Sequence, residues 1–196
     1  MIDPPGEDTA QLGTDVRTII LVEGMSDRLA VEALARRSGR DLHAEGISVI
    51  AMQGVTNFGR FLDRFGPEGR DLGLAGLYDA AEEPEIRRAL ERTEGSDLSR
   101  ADLEMLGFHA CVEDLEDELI RALGADEVIA VIESRGEIGP LRTLQKQREW
   151  RGQPVEQQLR RFLGNSSRKI DYAPLLVGAL DRPDLPRPLA KLLARV

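Results

Sequence analysis

With 196 residues, 41% of them hydrophobic and only 4% aromatic, the chain has room for one well-cored domain with appendages or two small ones, its core built on Leu, Ile, Val and Ala. The single cysteine, Cys111, excludes a disulfide framework and a cysteine-rich zinc site. No apolar run approaches membrane-spanning length and the N-terminus lacks the basic and apolar regions of a signal peptide, which predicts a cytoplasmic protein with no membrane partner. The formal net charge of −9 argues against nucleic acid as a partner, but the distribution does not. Asp79 to Glu118 holds 14 acids against 4 basic residues, and Arg135 to Lys169 holds 9 basic residues against 3 acids. An acidic centre beside a basic segment suits metal-dependent chemistry on a phosphodiester, and equally suits two ordinary solvated helical faces.

Residues 1–15 are polar and rich in Pro, Gly and acids, the composition of a disordered tail. Ile19 to Val22 are four consecutive branched apolar residues, which predicts a strand buried on both faces. The run stops on Glu23-Gly24, and a helix follows from Asp27 to Ala35, with Ser26 as its expected cap. A carboxylate at the C-terminal end of such a strand, before a Gly turn into a helix, is the ligand-binding geometry of open α/β sheets. Ile47–Ala51 predicts a second strand, and Gln53–Gly59 a polar turn into a helix with Phe58, Phe61, Leu62 and Phe65 on one face. Leu72–Tyr78 predicts a third strand ending on Asp79, and Phe108–Val112 a short fourth. An acidic helix is expected from Asp114 to Leu123, and helices with Gly/Pro breaks from 126 onward. The alternation predicts an α/β core over 16–125 with a mostly parallel sheet of about four strands flanked by helices, and a helical C-terminal extension over 126–196.

In a parallel sheet the C-terminal strand ends share one edge, so Glu23 and Asp79 are expected to converge there, with Asp27 one helical turn beyond Glu23 leaning back to the same point. Three carboxylates without supporting Cys or His point to a hard cation, Mg²⁺ or Mn²⁺. The competing reading makes them helix-capping residues.

The segments LVEGMSD, QGVTNFGRF and LAGLYDAAEE together resemble the Toprim domain, in the version carried by nucleases of the OLD (overcoming lysogenization defect) family. The resemblance covers Arg17 to Asp79 well. It implies a Rossmann-like fold and places Glu23, Gly24 and Asp27 in the family's glutamate turn. Asp79 starts the family's DxD motif, whose second acid is here Ala81; Glu82 and Glu83 follow at once as the two acids able to supply a substitute carboxylate, and Glu83 is taken into the metal set. The family also has later acids, matched by Asp114 and Glu116 in VEDLEDEL, and a late lysine, matched by Lys169 in SSRKIDYA. For these the bland alternatives are a solvated helix N-terminus and a surface lysine.

The resemblance implies divalent-metal-dependent phosphodiester hydrolysis of nucleic acid, DNA in particular. Glu23, Asp27, Asp79, Glu83, Asp114 and Glu116 would hold metal, with Glu23 and Lys169 catalytic. Gly24, Arg135, Arg142, Lys146, Arg148 and Arg160 would contact phosphates without reading sequence. No GxxxxGK motif followed by Ser or Thr is present, so a separate ATPase chain or a homo-oligomer is the expected partner. The alternative function is a non-catalytic Toprim-like module, with Ala81 marking lost chemistry; a small-molecule phosphatase would instead require a closed pocket. His43, His109, Cys111 and Trp150 read as structural.

Overall fold

The computed structural model describes residue 13, residues 15–181 and residues 185–196, so the expected tail over 1–15 falls almost entirely outside the described residues. Four strands, β1 (Thr18–Val22), β2 (Ile47–Ala51), β3 (Gly73–Asp79) and β4 (Phe108–Cys111), form one parallel sheet in the order β2-β1-β3-β4. Helix α1 (Met25–Arg37) connects β1 to β2, α2 (Phe58–Phe65) connects β2 to β3, and α3 (Glu83–Glu94) with α4 (Arg100–Leu106) connects β3 to β4. Six helices follow: α5 (Leu115–Leu123), α6 (Ala125–Ser134), α7 (Ile138–Lys146), α8 (Val155–Leu163), α9 (Ser166–Ala179) and α10 (Arg187–Arg195).

The apolar run of β1 is buried because it lies inside the sheet, between β2 and β3. Its side chains alternate between two cores, as strand geometry requires. Ile20 and Val22 point into one core with Val31 and Leu34 of α1, Leu119 of α5 and Phe162, Tyr172, Leu176 and Leu189 of the C-terminal helices. Ile19 and Leu21 point into the other, with Phe58, Leu62 and Phe65 of α2, Ile86 and Leu90 of α3 and Leu103 of α4. The C-terminal helices therefore share a continuous core with the sheet. A methyl group at Gly76 would sit 2.4 Å from the Leu21 carbonyl oxygen, so the close approach of β3 to β1 requires glycine there.

Local details refine the sequence reading. The first helix begins at Met25 with Gly24 as its cap, and it is the Asp27 carboxylate, not the buried Ser26, that accepts the Gly24 N–H at 2.8 Å. Gln53 takes a left-handed conformation (φ 60°) beside Gly54 (φ 110°). Both their N–H groups donate to the Glu23 carbonyl oxygen, at 2.9 and 3.3 Å, and the Asn57 side-chain amide holds the turn through the Met52 carbonyl at 2.9 Å. That polar turn thus anchors the backbone at Glu23. No helix among the described residues is long and apolar enough to cross a membrane.

Candidate metal centre

The chain runs outward from β1 to β2 and then returns to β3 on the other side of β1. That reversal is the switch point at which a crevice opens beyond the strand ends, and Glu23 and Asp79 flank it, directly after β1 and at the last position of β3. A cleft of about 210 Å³ there is lined by Glu23, Gly24, Asp27, Asp79, Asp114, Glu116 and Lys169. Seven of the residues singled out in the sequence, from four separate segments, therefore meet in one place.

Carboxylate oxygens of Glu23, Asp79 and Glu82 lie within 4.8 Å of one another. Of the two acids that follow Ala81, the structure brings Glu82 beside Glu23 and Asp79, while Glu83 lies outside this trio. A one-turn 3₁₀ helix over Ala80–Glu82 places the two neighbours on different sides of the chain. Glu83 turns away into a pair of guanidinium groups, Arg87 and Arg100, and is 9% exposed. Its carboxylate is consumed there. Local spacing could not separate Glu82 from Glu83, because a single-turn shift decides which one faces the cleft.

Crowding has an electrostatic cost. Burial, then the charges of Glu23, Asp27 and Glu82, push the Asp79 carboxyl from 3.8 to about 7. Burial and the charge of Glu23 push Glu82 to about 7. Asp27 also rises to about 7, by burial first, against the lowering effect of the Gly24 N–H. The site therefore holds carboxyl groups that resist ionising together. Oxygen donors alone, unpartnered buried oxygens on Glu82 and Glu116, and this mutual repulsion fit a hard divalent cation and disfavour a soft one.

The later acids have other partners as well. Asp114 caps α5 by accepting the Asp117 N–H at 2.8 Å, and its second oxygen accepts from Arg160 at 2.9 and 3.0 Å. Arg160 also reaches Glu113 at 3.2 Å. Arg160, expected as a phosphate contact, is paired here with Asp114 and Glu113. Glu116 is 4% exposed and accepts a hydrogen bond from Lys169 Nζ at 2.8 Å, across 53 residues of sequence. Burial alone would lower Lys169, but the bond to Glu116 and the charges of Glu116, Asp114 and Asp27 outweigh it, so the ammonium is held above its ordinary range. Arg135, Arg142, Lys146 and Arg148 are exposed on the end of α6, on α7 and in the loop beyond it, outside the cleft lining.

Residues 16–72 match the family model described as the overcoming lysogenization defect protein-like TOPRIM domain. A comparison with curated protein sequences found no match. Among solved structures, the C-terminal region of the Xanthomonas campestris pv. campestris OLD protein is similar at a TM-score of 0.72 and 26% identity, covering 92% of this chain and 92% of that one. A second structure of that region gives a TM-score of 0.68 at 28% identity, covering 91% and 93%. The C-terminal region of the Burkholderia pseudomallei OLD protein gives a TM-score of 0.70 at 23% identity, covering 91% and 96%. With the sheet order, the switch-point carboxylates and the matched residues in agreement, the chain shares the fold of these OLD C-terminal regions, and its residues 16–72 are similar to the OLD-like TOPRIM domain.

Proposed function

We propose that this chain cleaves phosphodiester bonds of DNA in a reaction requiring Mg²⁺ or Mn²⁺. The observation that carries the reading is the meeting of Glu23, Asp79 and Glu82 within 4.8 Å in a cleft that also presents Lys169. In this reading Glu23, Asp79 and Glu82 hold the cation, with Asp27 and Glu116 completing the acidic wall. When bound, such a cation lowers the pKa of water and offsets phosphate charge. The chain supplies the rest. Lys169, kept positive by Glu116, faces the cleft and offsets charge gathering on the phosphate oxygens. Gly24 presents no side chain between its backbone and an approaching phosphate, and the Gln53–Gly54 turn holds Glu23 in place through its carbonyl oxygen.

Arg135, Arg142, Lys146 and Arg148 hold the sugar–phosphate backbone without reading base sequence. A separate ATPase chain, or a second copy of this chain, is the partner class implied by the OLD resemblance. The approach of Glu82 to Glu23 and Asp79, despite Ala81, supports the catalytic reading over a module that has lost its chemistry.

The test is nicking of supercoiled plasmid by the purified protein with Mg²⁺, Mn²⁺ or chelator, beside Glu23→Gln and Asp79→Asn. Metal-dependent nicking that disappears in both folded variants is the expected result. A folded protein that neither nicks DNA nor binds Mn²⁺ would overturn the reading.

A further inference from the structure

Residues 147–154 join α7 to α8 and carry the chain's single tryptophan, Trp150. Four cations stand on this loop and on the helix before it: Arg142, Lys146, Arg148 and Arg151. Only one acid, Glu149, lies between Leu141 and Pro154. All four cations are exposed, and none is ion-paired among the described residues. Arg142 donates to the Gln145 side chain at 2.9 Å and Arg151 to the Lys146 carbonyl at 3.2 Å, bonds that leave their charges without a carboxylate. The cations on the next helices differ: Arg160 is taken by Asp114 and Glu113, and Arg168 by Glu137.

The aromatic ring supplies a second, independent observation. Trp150 is half-buried, yet it belongs to neither core and makes no ring–ring or cation–π contact among the described residues. Its indole N–H has no acceptor among them. Its backbone, by contrast, is fixed from inside the protein. Gln158 of α8 is 7% exposed, and its side-chain N–H groups donate to the Trp150 carbonyl at 2.8 Å and the Gln153 carbonyl at 3.0 Å. Gln158 Oε1 accepts from the Gln145 side chain at 2.8 Å. A buried amide with both donors and its acceptor engaged selects one loop conformation. The cores do not use this ring, so a loop ordered to display it beside unpaired cations points to a partner that is both anionic and aromatic.

We propose that this loop binds single-stranded nucleic acid, stacking a base on Trp150 while Lys146, Arg148 and Arg151 hold the flanking phosphates. Every base has a π-face, so an indole among cations takes a strand with little regard to sequence. A duplex keeps its bases stacked on one another and offers the indole none, so the strand must be single or locally opened. The inference rests on the reading of DNA as substrate and names the form that this surface accepts, but it requires neither metal nor cleavage. Gln158 and Arg160 leave α8 about 200° apart, and Arg160 reaches Asp114 of the acidic cleft. The loop therefore grips the strand on the far side of α8 from the candidate metal centre.

Because Trp150 is the only tryptophan, its fluorescence reports this loop directly. The full chain is titrated in chelator, at constant ionic strength, with oligothymidylate, with a duplex of equal length, and with heparin as a polyanion lacking bases. Expected are saturable quenching by the oligothymidylate, weaker binding of the duplex, and no comparable quenching by heparin. Anisotropy of a labelled strand should show affinity about tenfold weaker in Trp150→Ala and largely kept in Trp150→Phe, which retains a ring to stack on. The Arg148→Ala/Arg151→Ala variant should reduce the slope of log affinity against log salt by about 1.4. Equal affinity for strand and duplex, equal quenching by heparin, unchanged affinity in Trp150→Ala, or equal losses in Trp150→Ala and Trp150→Phe would overturn the proposal. Metal-dependent nicking beside any of those results leaves the cleavage reading standing, and binding through Trp150 without nicking counts against that reading alone.

Discussion

Asp79→Asn should make the metal-free protein more stable at alkaline pH, although it removes a residue of the candidate metal centre. The Asp79 carboxyl is displaced from 3.8 to about 7, mainly by burial and then by the charges of Glu23, Asp27 and Glu82. A displacement of roughly 3 pH units at about 1.36 kcal/mol each sets an upper bound of roughly 4 kcal/mol on the cost of ionising it. Solvent reaches the half-buried group and its half-buried neighbours rearrange, which reduces the figure to about 1–2 kcal/mol. Because the folded-state value lies above the unfolded one, the contribution to stability is fully present below about pH 4 and lost as pH rises through about 7. Asparagine keeps the shape and carries no charge. In chelator at about pH 8 the variant should exceed the wild type by about 1–2 kcal/mol, and below about pH 4 the two should converge. Urea unfolding followed by Trp150 fluorescence reads this as a midpoint shift of roughly 0.5–1 M, for a slope of about 2 kcal/mol/M. Added Mn²⁺ should stabilise the wild type and leave the variant unmoved. A variant less stable than wild type at pH 8 in chelator, or a difference independent of pH, would refute the account of the cleft as a set of mutually repelling acids.

Lys169→Met strands the buried Glu116 carboxylate and should cost about 2–4 kcal/mol, most of it regained in the Lys169→Met/Glu116→Gln double variant; thermal melts of the three proteins check this, and an equal loss in the double variant contradicts it. Glu82→Gln should weaken Mn²⁺ binding about tenfold or more. Glu83→Gln should leave that binding unchanged while loosening Arg87 and Arg100, and EPR titration of free Mn²⁺ separates the two. Gly54→Ala meets no atom within 4 Å, so its cost is backbone strain at φ 110° alone, about 1–2 kcal/mol by denaturant unfolding.

Strands β1 and β2 and the acids at the ends of β1 and β3 were legible because their signals are local. Ile19–Val22 is a continuous apolar run only a doubly covered strand can use, and a run that stops on Glu23 places that carboxylate at a strand end whatever surrounds it. Parallel order then carries Glu23 and Asp79 to one edge. The order β2-β1-β3-β4 itself, and hence the crevice between β1 and β3, came from packing. So did the choice between Glu82 and Glu83, which rests on one 3₁₀ turn and on Arg87 and Arg100 capturing the latter. Arg160 illustrates the same limit: its charge was visible in the sequence, but its pairing with Asp114 comes from the packing of α5 against α8. The union of Lys169 with Glu116 spans 53 residues and has no local signature. What the sequence by itself determined was which residues end buried strands, since burial is written in short-range hydrophobic pattern. Which charged groups meet was decided only by the tertiary structure, because pairing and desolvation depend on neighbours that are distant along the chain.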